Sequence, residues 1–183
     1  MPQATELPPE FAEYSAVVAK VDAKFAAIAT AHGAQMQCVL GCHGCCQPGL
    51  TVGFLQREAI RSWLSYHPDF VDQLRQLALE QPHGSSRCGM LDGAGACLIY
   101  PVRPLICRSH GAPVRVDGDL DVCPFNFRGQ PLEGLPPGDS IDVQTVDTLL
   151  YVVSMRFAPK DRGQRFALTL HGLGVNPEAD NRP

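Results

Sequence analysis

No run of about eighteen apolar residues occurs in the 183-residue chain, so no membrane span is expected. A long basic run is missing too. With a formal net charge of −4 and a sequence pI near 5.8, the chain is not expected to bind a phosphate backbone, and no nucleic-acid partner follows. The opening text, Met-Pro-Gln-Ala-Thr-Glu-Leu-Pro-Pro-Glu, lacks a basic segment leading into an apolar one. It does not read as a secretory leader, so a soluble protein of the reducing cytoplasm is expected. The sequence has no glycine-rich phosphate loop and no internal repeat. Its spacing singles out neither a Ser/His/Asp set nor paired carboxylates, so catalytic residues and any protein partner stay unknown.

What the chain does have is apolar material in periodic blocks and cysteine in aperiodic ones. A hydrophobic fraction of 45% can fill a core, so the cysteines are not needed as staples for a coreless miniprotein. Residues 1–9, with three prolines, read as a flexible lead-in. From Glu10 to His32, Phe11, Tyr14, Val18, Val21, Phe25 and Ile28 recur in steps of three and four, a helical stripe that core packing explains. Helices are also expected over Phe54–Tyr66, Pro68–Glu80 and Asp142–Phe157, the last capped by Asp139, Ser140 or Asp142. Leu50–Val52 is expected to be extended. Asp117-Gly118 lies between two short alternating runs and predicts a hairpin. Residues 175–183 read as a flexible tail. The fold class is therefore mainly α: one small helical domain over 10–174, with an irregular cysteine-rich lobe and a short β-hairpin.

Eight cysteines fall in two groups. Cys38, Cys42, Cys45 and Cys46 lie within nine residues, with Gly41 and Gly44 placed where the backbone must turn sharply. Cys88, Cys97, Cys107 and Cys123 are spread through a segment rich in glycine and proline. An even cysteine count allows four disulfides, but a reducing compartment argues against them. Thiolates are soft donors suited to zinc, copper(I) and iron–sulfur clusters, so all eight cysteines are candidate metal ligands. Zinc sites commonly pair two short knuckles, and only one dense group exists here. Three close cysteines with a remote fourth are nearer to an iron–sulfur pattern, so iron, as a cluster or otherwise, is preferred slightly over zinc. Adjacent Cys45 and Cys46 can hardly serve one tetrahedral ion together: they serve different metals, or one is a spare thiol. The Cys38-x₃-Cys42-x₂-Cys45 spacing also matches the radical-SAM triad, but the text before it is helical and no strand–helix alternation follows.

The ordered set Cys38, Cys42, Cys45-Cys46, Cys97-Leu98-Ile99-Tyr100, Arg103-Pro104 and Cys107-Arg108 resembles the CxxCxxCC family of zinc- or iron-chelating proteins, the YkgJ-type cysteine cluster proteins. Cys88 and Cys123-Pro124-Phe125-Asn126 extend the match, which covers roughly residues 38–126. The first gap is three residues where the family name has two. The resemblance implies a chiefly bacterial, metal-binding cysteine cluster protein without a defined biochemical role. A related cysteine motif in flagellin lysine methylases implies an alternative, an iron–sulfur enzyme with redox or methyl-transfer chemistry.

Arg103, Arg108, Tyr100, His110 and Asn126 are candidates for side chains that support these ligands without touching the metal. A thiolate–metal group carries negative charge that Arg103 and Arg108, flanking Cys107, could offset. The competing placement for Arg108 is an exposed pair with Asp117, Asp119 or Asp121. His43 and His110 adjoin the cysteine segments, and a histidine so placed is more often a neighbour than a ligand. Tyr100 is expected to pack on the cluster loop, and Asn126 to bond its backbone.

Overall fold

A stripe of apolar side chains on a long helix needs a matching surface, and the chain supplies two helices to one face of it. In this computed structural model, residues 7–38, 41–80, 86–132, 134–161 and 163–176 are described. A 3-10 turn at Pro9–Phe11 leads into α1, Ala12–His32, which buries Tyr14, Val17, Val21 and Ile28 and half-buries Val18 and Phe25. This face packs against α4, Leu105–Ser109, and α5, Val143–Phe157. Phe11 stacks on Phe157 with ring centroids 5.2 Å apart.

Helix α2, Phe54–Ser65, divides the core. Its Leu55 and Ala59 join the α1 side, with Leu105, Ala112 and Ile141. Its Ile60, Trp63 and Leu64 join a second apolar group containing Leu74 of α3, Pro68–Glu80, and Met90, Leu98 and Ile99 of the cysteine-rich lobe. The α2–α3 corner is fixed by His67, whose ring stacks on Trp63 at 4.1 Å while Nδ1 donates to the Trp63 carbonyl at 2.7 Å. Gln56 is the polar exception inside α2: buried, its Oε1 accepts the first amide of α4, Leu105 N–H, at 2.9 Å.

Strands are short and peripheral. β1, Thr51–Gly53, pairs antiparallel with β5, Arg165–Ala167, with Val52 opposite Phe166. β2, Val114–Val116, and β3, Asp119–Asp121, form the expected hairpin, whose corner residues Asp117 and Gly118 have φ of 52° and 90°. β4, Ile141–Asp142, lies parallel to β2. Asp142 then caps α5, its Oδ1 accepting Thr145 N–H at 2.6 Å.

The expected helices thus stand within a residue or two of their predicted ends, and the fold is mainly α with small sheets. Among the described residues no helix is long and apolar enough to cross a membrane. The terminal assignments meet packing at two points: Leu7 touches both apolar groups, and Val175 N–H donates to Leu170 O at 3.1 Å. Residues 1–6 of the lead-in and 177–183 of the tail lie outside the described residues.

Replacing Gln56 with Leu leaves the Leu105 amide buried without its acceptor. The expected cost is about 1–3 kcal/mol, read as a lower denaturation midpoint in urea with an unchanged slope. A midpoint equal to wild type would show that the amide finds another partner.

Candidate metal centre

The lobe is assembled by backbone bonds between distant cysteine segments. A tight turn, Cys46 N–H to His43 O at 2.9 Å, presents Cys45 and Cys46. Cys88 N–H then donates to Cys46 O at 2.9 Å, joining the two groups directly. The Asp92 side chain accepts Ala94 N–H at 2.9 Å and Ala96 N–H at 2.8 Å, closing a turn that pairs Leu91 with Cys97. Cys107 sits on α4, its amide bonded to Pro104 O at 2.9 Å.

Asn126 ties together the other edge. It is 3% exposed, and its Oδ1 accepts Gln37 N–H at 2.7 Å. Its Nδ2 donates to Gly111 O at 2.6 Å and to the Cys38 sulfur at 3.3 Å. Its own N–H donates to Cys123 O at 2.8 Å. Gly111 has φ of 102°, and a Cβ there would stand 2.9 Å from the Cys38 sulfur, so only glycine fits. Gly44 is equally tight, because a Cβ would meet the Phe125 ring at 2.8 Å.

All eight thiols are free. Cys88 and Cys123 are buried, Cys46, Cys97 and Cys107 half-buried, and Cys38, Cys42 and Cys45 exposed. Burial pushes the Cys107 thiol up to about 12, and the neighbouring thiols of Cys97, Cys88, Cys46 and Cys45 push in the same direction. Cys97 is likewise raised to about 12 by burial, with Cys88 and Cys46 adding and Arg103 opposing. Burial and Cys46 raise Cys45 to about 11. Cys38, Cys46 and Cys88 are raised by burial too, and for Cys46 the nearby Arg87 works the other way. The thiols therefore lie within electrostatic reach of one another across all segments. As the side chains stand, no three His, Cys, Asp or Glu groups among the described residues converge closely enough to hold an ion. The donor set suits a soft metal by its chemistry, and closing a site requires the thiols to turn inward.

The other expected residues divide. Arg103 lies over the Tyr100 ring at 3.9 Å and within reach of the Cys97 thiol; the Tyr100 ring is about half exposed. His110 is exposed, and its structural contact is a backbone bridge to Ala112. Arg108 is buried rather than exposed, and it pairs with Asp22 of α1 at 2.7 Å, not with Asp117, Asp119 or Asp121. Its Nε donates to Arg103 O at 2.8 Å and its Nη2 to Pro101 O. These bonds hold the turn that carries Cys107 against α1, and none of them goes to a thiol. Sequence reasoning passed over Arg87, although it immediately precedes Cys88 as Arg108 follows Cys107. It also passed over Gly111 and Asp22, whose roles depend on contacts far along the chain.

Arg108→Leu should lower stability by about 1.5–3 kcal/mol, the scale of a charged hydrogen-bond set, and Arg108→Lys should lose part of that. The same denaturation in both variants as in wild type would remove Arg108 from this role. In the metal-free protein the raised thiols favour the neutral form in the folded state. That contribution is complete below the ordinary thiol value and fades as pH rises through the folded values. The metal-free chain should therefore lose stability steadily from about pH 9 toward pH 11, measured by thermal unfolding under reducing conditions. A flat profile would show the thiols ionising freely.

No curated protein and no solved structure matches the chain. Residues 37–124 match the model of the CxxCxxCC family, described as a putative zinc- or iron-chelating domain. That segment, a little under half of the chain, contains all eight cysteines and ends one residue after Cys123, and over it the chain is similar to the CxxCxxCC family.

Proposed function

We propose that the protein is a metal-binding cysteine cluster protein that chelates iron, preferably as an iron–sulfur cluster, or zinc, through Cys38, Cys42, Cys45, Cys46, Cys88, Cys97, Cys107 and Cys123. The observation that carries this reading is that eight unpaired thiols from distant segments are gathered in one lobe. Free thiols at this density suit the reducing cytoplasm, which is the compartment we assign. Metal binding would supply the positive charge that stabilises the thiolates. Arg87 and Arg103 would add to it at Cys46 and Cys97, and Asn126 would fix the Cys38 sulfur. Protein purified without oxygen is expected to be brown, with iron and acid-labile sulfide. A colourless protein containing zinc would select the other metal, and a protein with neither under both growth conditions would overturn the reading.

The alternative, an iron–sulfur enzyme with redox or methyl-transfer chemistry, is favoured by one feature. A cavity of about 760 Å³ adjoins Cys42 and is lined by His43, Phe125 and Arg128. This gives a small molecule an approach to a metal held there.

Metal removal should loosen the lobe more than the helical scaffold. Hydrogen exchange after verified chelation is expected to rise across 86–128 and to stay near its original level in α1. Unchanged exchange in the lobe would show that the metal does not organise it.

A further inference from the structure

Among the described residues, Phe127 is the one bulky side chain carried on a left-handed backbone, with φ of 51°. The other non-glycine residue there, Asp117, sits in the hairpin corner, where such a φ is ordinary. At Phe127 the conformation is unfavourable and persists because its surroundings impose it. Its N–H donates to Gln35 O at 2.8 Å and its carbonyl accepts Gln130 N–H at 3.0 Å. Its buried ring tilts against His32 at 5.5 Å. The turn fixed in this way sets Phe125 and Arg128 in the lining of one cavity of about 760 Å³, together with Gln35 and Gln37.

No carboxylate lines that cavity, although the chain has 19 Asp and Glu residues and a net charge of −4. Its polar lining is Arg128, His43 and the side-chain amides of Gln35, Gln37 and Gln130. Arg128 Nε donates to Pro124 O at 3.2 Å, and the guanidinium lies 5.1 Å from the centre of the Phe125 ring. Its two terminal nitrogens, like the side-chain amides of Gln35 and Gln130, make no hydrogen bond to any described residue. A planar fork of donors left open in this way matches a carboxylate. The Phe125 ring is 43% exposed, and the Gly44 turn backs its edge, where a Cβ would stand 2.8 Å away. A flat apolar group therefore finds a firm surface beside the fork.

We propose that this cavity binds a small aromatic carboxylate, its ring against Phe125 and its carboxylate on the Arg128 guanidinium. The amides of Gln35 and Gln130 meet further polar atoms of the ligand. The strained turn at Phe127 holds the two main contacts at a fixed spacing, and the cavity is large enough for a fused ring system. The inference rests on the enzyme reading above only for what a metal at Cys42 would do to the bound molecule. Binding itself uses other residues.

Naphthoate is the probe, titrated by calorimetry into the full-length chain purified without oxygen, and one site per chain is expected. Naphthylmethanol keeps the ring and loses the charge; cyclohexanecarboxylate keeps the charge and loses the flat ring. Each should bind at least about fivefold more weakly than naphthoate. Arg128→Gln should weaken naphthoate by about tenfold or more, and Phe125→Leu by about fivefold. Both residues are exposed, so neither change threatens the fold. Arg61→Gln, at an exposed arginine outside the cavity lining, should bind as wild type does. Metal content is measured in every protein. Equal naphthoate affinity in wild type, Arg128→Gln and Phe125→Leu, or no heat of binding at millimolar probe, would overturn the pocket. With iron or zinc still present, that result would leave the metal reading intact. Naphthoate bound through Arg128 and Phe125 by a chain that holds no metal would support the pocket and overturn the metal reading instead.

Discussion

Crowded thiols resist ionisation, and the rest of this structure is arranged around that resistance. The thiolates of Cys38, Cys45, Cys46, Cys88, Cys97 and Cys107 are disfavoured by burial and by neighbouring thiols, most strongly at Cys97 and Cys107. Without a cation the cheapest state is a set of neutral, weakly bonding sulfurs, which have no reason to draw together. A soft metal reverses the sign of the problem, because each added thiolate then meets opposite charge. The lobe has little regular structure with which to impose a geometry on the sulfurs. In the metal-binding reading, metal–sulfur bonds and a few side chains impose it instead.

Those side chains are anchored in ordinary helical packing. Arg108 links the Cys107 turn to Asp22 on α1, and Gln56 links the same short helix to α2. Met90, Leu98 and Ile99 carry the Cys88–Cys97 stretch into the core beside Trp63 and Leu74. At the outer edge of the lobe, Cys38, Cys42 and Cys45 face solvent. There Asn126 makes the contacts, joining segments near Gln37, Gly111 and Cys123 that share no secondary structure.

How much of this could be read from the residues follows from the range of the interactions. The long helices were legible because their periodicity is local and their packing asks only for an apolar stripe. The hairpin was legible because Asp117-Gly118 announces its own backbone geometry. Pairings of two or three residues between Thr51 and Ala167, or Val114 and Ile141, leave no local signature, and β4 and β5 were missed for that reason. The cysteines declared a metal by their number and crowding. Which arginines stand near them was only partly legible: Arg103 comes within reach of Cys97, but Arg108, adjacent to Cys107 in sequence, turns toward Asp22, and the unforeseen Arg87 comes within reach of Cys46. A neighbour along the chain fixes where a side chain starts, not where it points.

The β1–β5 pairing has a consequence for how the protein is made. Its two strands enclose the second cysteine group, Cys88 to Cys123, in sequence, while the first group precedes both, and the clasp closes only after residue 167 has left the ribosome. By then all eight cysteines, ending at Cys123, have already emerged, together with α1, α2 and the short helix that Arg108 ties to Asp22. During synthesis there is thus an interval in which every sulfur is outside and half the scaffold is present, while α5 and the clasp are still to come. The order of translation thus exposes every cysteine before α5 and the clasp can complete the fold.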